Sequence, residues 1–367
     1  MKKRFIISGG GTGGHIFPAI AIANRLCKEI PEAEILFIGA KDKMEMKRVP
    51  EAGYPIEGLD IYGICRDFSL KGMYKNARLP VVLSRCMNRV GQIMRDFRPD
   101  AVIGVGGFAS GPALRSAAKA GIPTLIQEQN SFPGVTNKLL SKRVDKICVA
   151  YEGLEKYFPK EKIVLTGNPV RDSILEMGKK EEEAYRFFGF RKDRKTILVV
   201  GGSLGARTIN ECMRENLHEI EKRNTQLIWQ TGESFYQNIP SELLERQNER
   251  IRIVPFIKEM DKAYSIADSI ISRAGAIAIS ELAIVGAPVI LVPFPYASED
   301  HQTKNAQALA DRQAACLIPD QDASSKLIPQ LLELLDDEER ARELSENIRQ
   351  FARPHAIDAI IQEIITL

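Results

Sequence analysis

The stretch Ser8-Gly9-Gly10-Gly11-Thr12-Gly13-Gly14-His15 lies close to the start of the chain. The apolar run Phe5-Ile6-Ile7 before it predicts a short buried strand, and the apolar spacing from Pro18 to Leu26 after it predicts a helix. Glycines between a strand and a helix let the backbone approach a ligand closely, and a helix start offers unpaired N–H groups to an anion. The stretch therefore predicts an α/β unit with an anion site at its first loop, and His15 is a candidate base beside it.

The glycine pattern leaves two other interpretations open. Gly9, Gly11 and Gly14 fit the G-x-G-x-x-G pattern of nicotinamide or flavin sites, but these also need an acid at the end of the second strand. Asp42 comes late for that role and lies in a charged run. A plain turn with a solvent-facing histidine is the third interpretation. Five glycines together with a histidine favour a ligand-binding loop.

Composition limits the protein class. The chain has 367 residues, of which 44% are hydrophobic and 27% charged, as expected for a soluble protein of two domains. The net charge of +3 gives no reason to expect a nucleic-acid partner. The six cysteines contain no C-x-x-C pair, which favours reduced thiols over a zinc site or a disulfide framework. No apolar run is long enough to predict a membrane span.

Short strands rich in branched apolar residues alternate with helical patterns in both halves of the chain, which predicts α/β architecture with doubly wound parallel sheets. A second glycine loop, Gly201–Ala206, follows the first strand of the second half, and Thr166-Gly167-Asn168-Pro169 marks the boundary. We predict an N-terminal domain over residues 1–166 and a C-terminal domain over residues 167–340. Helices over residues 341–367 are expected to return to the first domain, and the two Rossmann-like domains are expected to face a central cleft.

Further polar strand ends lie where ligands bind in parallel sheets. In the first half these are Gly104 to Phe108 and Gln127 to Gly134. In the second half Glu281 lies in an otherwise apolar helix, where a carboxylate suits the two hydroxyls of a ribose or, alternatively, a salt bridge with an arginine. The Gly201 loop lacks the G-K-[ST] ending of ATP-binding loops, and no D-x-D triplet or metal-ligand cluster is found. We therefore expect neither a metal nor another cofactor.

The stretch from Tyr62 to Arg98 is strongly basic, with Arg66, Lys71, Lys75 and Arg78 among its cations. Apolar side chains lie between these bases, including Leu79, Val82 and Leu83. Such a mixture suits an anionic membrane surface. The alternative is a core helix with a solvated basic face.

Taken together, the motifs resemble the MurG family of glycosyltransferases. The resemblance runs from Phe5 to about Asp311 and keeps the order and spacing of seven motifs, each of which is weak alone. These motifs are Gly10–His15, Gly106-Gly107 with Ser110–Pro112, Glu128–Asn130, Gly167–Arg171, Gly201–Ser203 with Gly205-Ala206, Arg273–Ala276 with Ser280-Glu281, and His301-Gln302 with Asn305.

The resemblance implies a peripheral enzyme of the two-domain GT-B type on the cytoplasmic face of the cell membrane. It would transfer N-acetylglucosamine from UDP-N-acetylglucosamine, with inversion, to the undecaprenyl-diphosphate-linked muramyl pentapeptide, lipid I. The implied catalytic residues are His15 as general base and Glu128 as the alternative base or the group that orients the acceptor. The implied donor-binding residues are Thr12, Gly13, Gly14, Asn130, Arg171, Ser203, Ile257, Ala276, Ile277, Ala278, Ile279, Ser280, Glu281 and Gln302. The implied contacts to the acceptor diphosphate are Gly11, Gly104, Gly106 and Gly107.

Three residues depart from the family pattern. Phe108 stands where tyrosine is common, Gln127 where histidine is common, and Ala274 where serine is common. The first two remove polar groups from the acceptor side. The nearest alternative function is a UDP-N-acetylglucosamine epimerase of similar fold, and a nicotinamide-dependent oxidoreductase is a distant one.

Overall fold

The computed structural model describes residues 2–63, 69–202 and 205–367, and gives the secondary structure alone at residues 70–72, 75 and 298. The chain forms two compact units. The first comprises Met1–Val170 and His355–Leu367, and the second comprises Arg171–Pro354. The chain passes from the first unit to the second after Val170, a few residues beyond the predicted boundary at 166. It returns to the first unit after Pro354, which is 14 residues beyond the predicted boundary at 340.

The first unit is built on a seven-stranded sheet in which every strand pair is parallel. Its strands are β1 (Arg4–Ser8), β2 (Glu34–Ala40), β3 (Ile56–Leu59), β4 (Ala101–Gly104), β5 (Thr124–Glu128), β6 (Lys146–Val149) and β7 (Ile163–Leu165). The strand order is β3-β2-β1-β4-β5-β6-β7. The order reverses between β1 and β4, which is where open α/β sheets bind their ligands.

Helices cover both faces of this sheet. They are α1 (Gly13–Glu29), α2 (Glu45–Glu51), α3 (Leu70–Phe97), α4 (Ser110–Lys119), α5 (Val135–Leu140) and, from the end of the chain, α16 (Ala356–Ile365). On one face Ile357, Ile360 and Ile364 of α16 are buried against residues of α1 and β1. On the other face Val90 and Ile93 of α3 join the core beneath α4.

The second unit repeats this plan with a six-stranded sheet whose strand pairs are also parallel. Its strands are β8 (Lys195–Val200), β9 (Thr225–Gln230), β10 (Ile251–Val254), β11 (Ser269–Ser272), β12 (Val289–Leu291) and β13 (Cys316–Leu317). The order β10-β9-β8-β11-β12-β13 reverses between β8 and β11. Trp229, the sole tryptophan of the chain, is fully buried in the core of this unit.

Ten α-helices belong to the described part of the second unit. They are α6 (Asp172–Leu175), α7 (Glu182–Phe188), α8 (Arg207–Glu221), α9 (Glu233–Tyr236), α10 (Ser241–Leu244), α11 (Met260–Ile266), α12 (Ala276–Val285), α13 (His301–Ala310), α14 (Ala323–Asp336) and α15 (Glu338–Arg349), of which α6 directly follows the exchange between units.

Three features differ from the sequence prediction. The strand β3 was not predicted, because Ile56–Leu59 is a short, half-buried edge strand that contains a glycine. Helix α1 begins at Gly13 instead of Pro18, since the carbonyl of Thr12 accepts bonds from the amides of His15 (3.1 Å) and Ile16 (3.2 Å). His15 therefore lies in the first helical turn. Among the described residues, no helix is long and apolar enough to cross a bilayer.

Candidate functional site

The loop after β1 leads into the first turn of α1, which carries His15 at the carboxyl edge of the first sheet. His15 Nδ1 lies 3.1 Å from the carbonyl oxygen of Gly10 and 3.3 Å from Thr12 Oγ1. The amides of Gly13 and Gly14, at the start of α1, have no acceptor within the helix. The first turn thus brings a histidine and open backbone donors to one place.

Glu45, at the start of α2, fixes this loop through hydrogen bonds. Its side chain is buried (1% exposed), and its carboxylate accepts hydrogen bonds from the amides of Gly11 (2.9 Å) and Ala40 (3.0 Å). A Cβ on Gly10 would lie 2.1 Å from this carboxylate, so the loop needs glycine there. The Gly11 amide is engaged by Glu45 in this structure, and the contact of Gly11 with the acceptor diphosphate stays a prediction.

The loop after β4 lies against the same histidine. A Cβ on Gly106 would lie 2.8 Å from Nε2 of His15, and one on Gly107 would lie 2.5 Å from the Gly10 carbonyl oxygen. Both residues have positive φ angles, +97° and +81°, that favour glycine. Gly104 differs, because it is a buried residue of β4 whose missing side chain makes room for Leu114. The contact of Gly104 with the acceptor diphosphate likewise stays a prediction.

The loop after β5 is organised by Glu128. This buried carboxylate accepts bonds from the amide (3.0 Å) and side chain (3.2 Å) of Asn130, the amide of Gly134 (3.1 Å) and the side chain of Asn137 (2.8 Å). These four donors occupy both oxygens of the carboxylate, which therefore acts as an acceptor in this structure. The arrangement favours the orienting role of Glu128 over the alternative of a general base.

Gln127, which replaces the common histidine, is buried beneath this loop. Its side chain donates to Asn168 Oδ1 (2.9 Å), while Asn168 donates to the carbonyl of Gln129 (3.0 Å). Gln129 in turn donates to the carbonyl of Val105 (2.9 Å), which ties the β5 loop to the β4 loop. Gln127 thus belongs to a buried polar network and presents no side chain to a ligand.

In the second unit, the predicted donor residue Ser203 lies outside the described residues. The neighbouring Gly202 is exposed, with a φ of +81°, and its carbonyl accepts a bond from Gln230 (2.9 Å). The same buried Gln230 accepts from the amide of Ile257 (3.3 Å) through Oε1. Gln230 therefore couples the β8 glycine loop to the loop after β10, and the Ile257 amide is engaged within the protein.

Arg171 and Glu281, 110 residues apart in sequence, form a bidentate ion pair. Arg171 Nε donates to Oε1 at 2.8 Å and Nη2 donates to Oε2 at 3.0 Å, while the hydroxyl of Tyr264 lies 3.4 Å from Oε2. The Glu281 side chain is 7% exposed and that of Arg171 is 52% exposed. Burial, reinforced by the Glu281 charge, raises the pKa of Tyr264. Burial alone would lower the pKa of Arg171, but Glu281 outweighs it and raises this pKa. The salt-bridge alternative is thus realised in this structure.

The remaining predicted donor residues lie at the start of α12 and on α13. Helix α12 begins at Ala276, and its first intrahelical bond joins the Ile279 amide to the Gly275 carbonyl (2.9 Å). The amides of residues 276–278 therefore have no acceptor within the helix and can donate to an anion at its start. Ser280 donates back to the Ala276 carbonyl (3.0 Å). Gln302 accepts a bond from the Phe294 amide (2.9 Å), which fixes the loop after β12.

Arg273, within the motif before α12, is a structural residue. Its guanidinium donates to the carbonyls of Val292 and Pro293, each at 3.0 Å, and pairs with Asp320. Asp320 also accepts from Thr208 Oγ1 at 2.9 Å. This largely buried pair ties the loops of two strand ends to α8.

Sequence reasoning missed the two side chains that fix the glycine loops, Glu45 and Gln230. Glu45 lies in the polar run Lys41 to Lys47, which is typical of a solvated helix. Gln230 is the last residue of a buried strand, and a polar residue at that position was the available signal.

Of the three apolar side chains predicted on the surface of the basic helix α3, Leu83 is exposed (38%), whereas Leu79 and Val82 are partly buried. Val82 packs against the core and Leu79 is half-buried, whereas Tyr74 is 63% and Val81 55% exposed. The guanidinium of Arg78 lies 5.5 Å from the centroid of the Tyr74 ring. The difference reflects the helical period, which turns Val82 inward with Val90. Arg66 and the side chains of Lys71 and Lys75 lie outside the described residues.

Helix α5 also carries an exposed apolar residue. Leu139 is 73% exposed, and both α3 and α5 pack against α4. Lys138 precedes it, with its ammonium 4.3 Å from the centroid of the Phe132 ring. Basic and apolar side chains are thus combined on both helices that flank α4.

Within residues 2–63, 69–202 and 205–367, no group of three or more His, Cys, Asp or Glu side chains is arranged to hold a metal ion.

Comparison with known proteins identifies the family. Models of the glycosyltransferase family 28 N-terminal and C-terminal domains match residues 5–149 and 196–360. A protein of Parabacteroides distasonis named UDP-N-acetylglucosamine–N-acetylmuramyl-(pentapeptide) pyrophosphoryl-undecaprenol N-acetylglucosamine transferase is 52% identical over 366 residues, which cover 100% of this chain and 98% of that protein. A protein of the same name from Bacteroides fragilis is 50% identical, with 99% and 95% of the two chains covered.

Solved structures agree with this match. The crystal structure of Acinetobacter baumannii MurG superposes with a TM-score of 0.80 at 31% identity and 100% coverage of both chains. A putative UDP-N-acetylglucosamine 2-epimerase from Listeria monocytogenes superposes with a TM-score of 0.68 at 17% identity, covering 100% and 96%, which shows a shared fold alone. The chain therefore belongs to the MurG family within glycosyltransferase family 28, and its fold is of the two-domain GT-B type.

Proposed function

We propose that this chain transfers N-acetylglucosamine from UDP-N-acetylglucosamine to the 4-hydroxyl of the muramyl sugar of lipid I, forming lipid II in peptidoglycan synthesis. The observation that carries this proposal is the match, at 52% identity over essentially the full length of both chains, to a relative named for this transfer. The two parallel sheets support it, because each ends at its switch point in a glycine loop suited to a phosphate-bearing ligand.

The proposed reaction is a single displacement. His15 takes the proton of the muramyl 4-hydroxyl while its oxygen bonds to the anomeric carbon of N-acetylglucosamine. The bond from that carbon to the diphosphate oxygen breaks, UDP leaves with the electron pair, and the configuration inverts. A positioned general base contributes roughly 10²–10⁴ to the rate. The position of His15 in the first turn of α1, beside Gly106, supports this role.

The leaving diphosphate carries negative charge that the protein must stabilise. We propose that it is met by the amides at Gly202, at the undescribed Ser203, and at residues 276–278 of α12. Gln230 supports this arrangement by fixing the β8 loop. From the first unit, Thr12, Gly13, Gly14 and Asn130 are the proposed additional donor contacts.

We propose that Glu281 binds a ribose hydroxyl of the donor. Two carboxylate oxygens offer about four lone-pair sites. Arg171 and Tyr264 occupy three of them, which leaves one for a hydroxyl. The half-exposed Arg171 can turn toward the diphosphate and release further acceptor sites. Gln302 remains a proposed partner of the donor sugar.

The lipid substrate requires contact with a membrane, and we propose that α3 and α5 make it on the cytoplasmic face. The exposed Tyr74, Val81 and Leu139 supply apolar contact, and Arg78 and Lys138 supply positive charge for anionic lipids. The protein would then be peripheral at the membrane.

Transfer of labelled N-acetylglucosamine from the UDP donor to a soluble lipid I analogue tests the proposal. We expect labelled disaccharide only when both substrates are present. The epimerase alternative predicts conversion of the UDP-sugar without an acceptor, and such conversion, with no disaccharide formed, would contradict the proposed function.

A further inference from the structure

We propose that Glu45 is a positioning residue for the catalytic base, acting on His15 through the peptide group that joins Gly10 to Gly11. This inference rests on the proposed role of His15 as general base. Glu45 contacts no substrate in this proposal. It fixes which nitrogen of the imidazole carries the proton.

The geometry is a chain of two hydrogen bonds across one peptide. The N–H of Gly11 donates to Glu45 Oε2 at 2.9 Å, and the carbonyl of Gly10 lies 3.1 Å from His15 Nδ1. Gly10 C=O and Gly11 N–H belong to the same planar amide, so fixing one end orients the other. The second Glu45 oxygen is anchored by the Ala40 amide at 3.0 Å. The carboxylate is therefore held at both oxygens.

This arrangement selects one tautomer of His15. A carbonyl oxygen can only accept, so the Gly10 contact requires the proton on Nδ1 and leaves the lone pair on Nε2. The competing neighbour, Thr12 Oγ1 at 3.3 Å, would stabilise the other tautomer if its hydroxyl donated to Nδ1. A carboxylate that accepts from the amide polarises it and strengthens the carbonyl as an acceptor. Glu45 thus favours Gly10 over Thr12 as the partner of Nδ1.

The selected tautomer is the one that the reaction needs. Nε2 faces Gly106, where a Cβ would approach to within 2.8 Å. Only a ring with its lone pair on Nε2 can take a proton from a hydroxyl on that side. In a carboxylate–histidine pair, the carboxylate fixes the tautomer and the orientation of the ring. Here Glu45 does the same through the amide that lies between its carboxylate and the imidazole.

The test measures the tautomer directly. Nitrogen NMR of the full-length chain with ¹⁵N-labelled histidine, at a pH where His15 is neutral, distinguishes the protonated from the unprotonated ring nitrogen, and His15→Gln assigns the signal among the four histidines. We expect a protonated Nδ1 in the unaltered protein. A protonated Nε2 would overturn the proposal without the need for any variant.

Variants of Glu45 supply the kinetic test. Glu45→Gln should lower kcat roughly tenfold to a hundredfold with little change in either KM, and should increase the Nε2-protonated form. Glu45→Asp keeps the charge and should retain more activity than Glu45→Gln. Circular dichroism confirms that each variant is folded. If folded Glu45→Gln keeps both the tautomer and kcat, Glu45 merely supports the loop and the proposal is wrong.

Asp145→Asn is the matched control. Asp145 accepts bonds from the amide (2.8 Å) and hydroxyl (2.7 Å) of Thr124, at the opposite edge of the same sheet. The same change of carboxylate to amide should leave the His15 tautomer and kcat unaltered. Full activity of His15→Ala would instead refute the proposal that His15 is the general base. The two proposals, His15 as base and Glu45 as its positioning residue, are therefore refuted by different results.

Discussion

Loss of Arg171 and loss of Glu281, the two members of the ion pair, should lower the stability of the second unit by different amounts. Glu281 is buried (7% exposed side chain), whereas Arg171 is half exposed (52%). Removing Arg171 leaves the buried Glu281 carboxylate with the Tyr264 hydroxyl, at 3.4 Å, as its partner, whereas neutralising Glu281 leaves a guanidinium that water can solvate. We therefore predict that Arg171→Ala destabilises the second unit more than Glu281→Gln does.

The magnitudes follow from the exposure of each group. Breaking a fully buried pair costs about 3–5 kcal/mol, and the exposed half of Arg171 reduces this to about 1.5–3 kcal/mol for Arg171→Ala, since water replaces part of the lost interaction. Glu281→Gln keeps an oxygen for Tyr264 and should cost about 0.5–1 kcal/mol. With a urea m-value of about 2–3 kcal/mol/M, the first variant shifts the unfolding midpoint by roughly 0.5–1.5 M.

Tryptophan fluorescence in urea measures this shift in one unit alone. Trp229 is the sole tryptophan and is fully buried in the core of the second unit, so its emission reports the unfolding of that unit. The double variant Arg171→Ala/Glu281→Gln should be more stable than Arg171→Ala, because no charge is then stranded. A larger loss for Glu281→Gln than for Arg171→Ala, or additive losses in the double variant, would refute the reasoning.

Three further predictions concern the donor, the membrane and alkaline pH. Glu281→Ala should raise the donor KM by roughly tenfold or more, because a charged hydrogen bond to the ribose is lost; an unaltered donor KM in steady-state transfer would exclude this contact. Val81→Asp should weaken binding to anionic vesicles at low salt by roughly fivefold in sedimentation, whereas Phe187→Asp, at an exposed site of the second unit, should not; equal effects would refute the surface. Burial raises the pKa of Tyr185 to about 12, so the unfolded chain loses this proton first and stability should fall between about pH 10 and pH 12. Tyr185→Phe should make that fall shallower in urea titrations, and an identical pH dependence would contradict this assignment.

Local patterns sufficed for much of the fold. The predicted strand Phe5-Ile6-Ile7 lies within β1 and the predicted helix from Pro18 to Leu26 lies within α1, because branched apolar runs and helical periodicity are properties of adjacent residues. The edge strand β3 and the early start of α1 were missed, because pairing with β2 and the bonds to the Thr12 carbonyl outweigh weak local preferences.

The site shows the same limit at the level of single side chains. Motifs identified Arg171 and Glu281 separately, but nothing local indicates that residues 110 positions apart form a pair. Glu45 was missed because its sequence neighbours are polar, and only the fold brings its carboxylate beneath Gly10 and Gly11. Long-range contacts of this kind are set by the packing of α2 against β2, which periodicity does not encode.

Comparison of His15→Ala with the unaltered protein tests whether His15 removes the acceptor proton during sugar transfer. Single-turnover transfer to a lipid I analogue gives the rate of the chemical step, and UDP titration gives the affinity of the nucleotide site. We predict a rate at least about a hundredfold lower with nearly unchanged UDP affinity. An unaltered transfer rate in His15→Ala would show that His15 is not the general base.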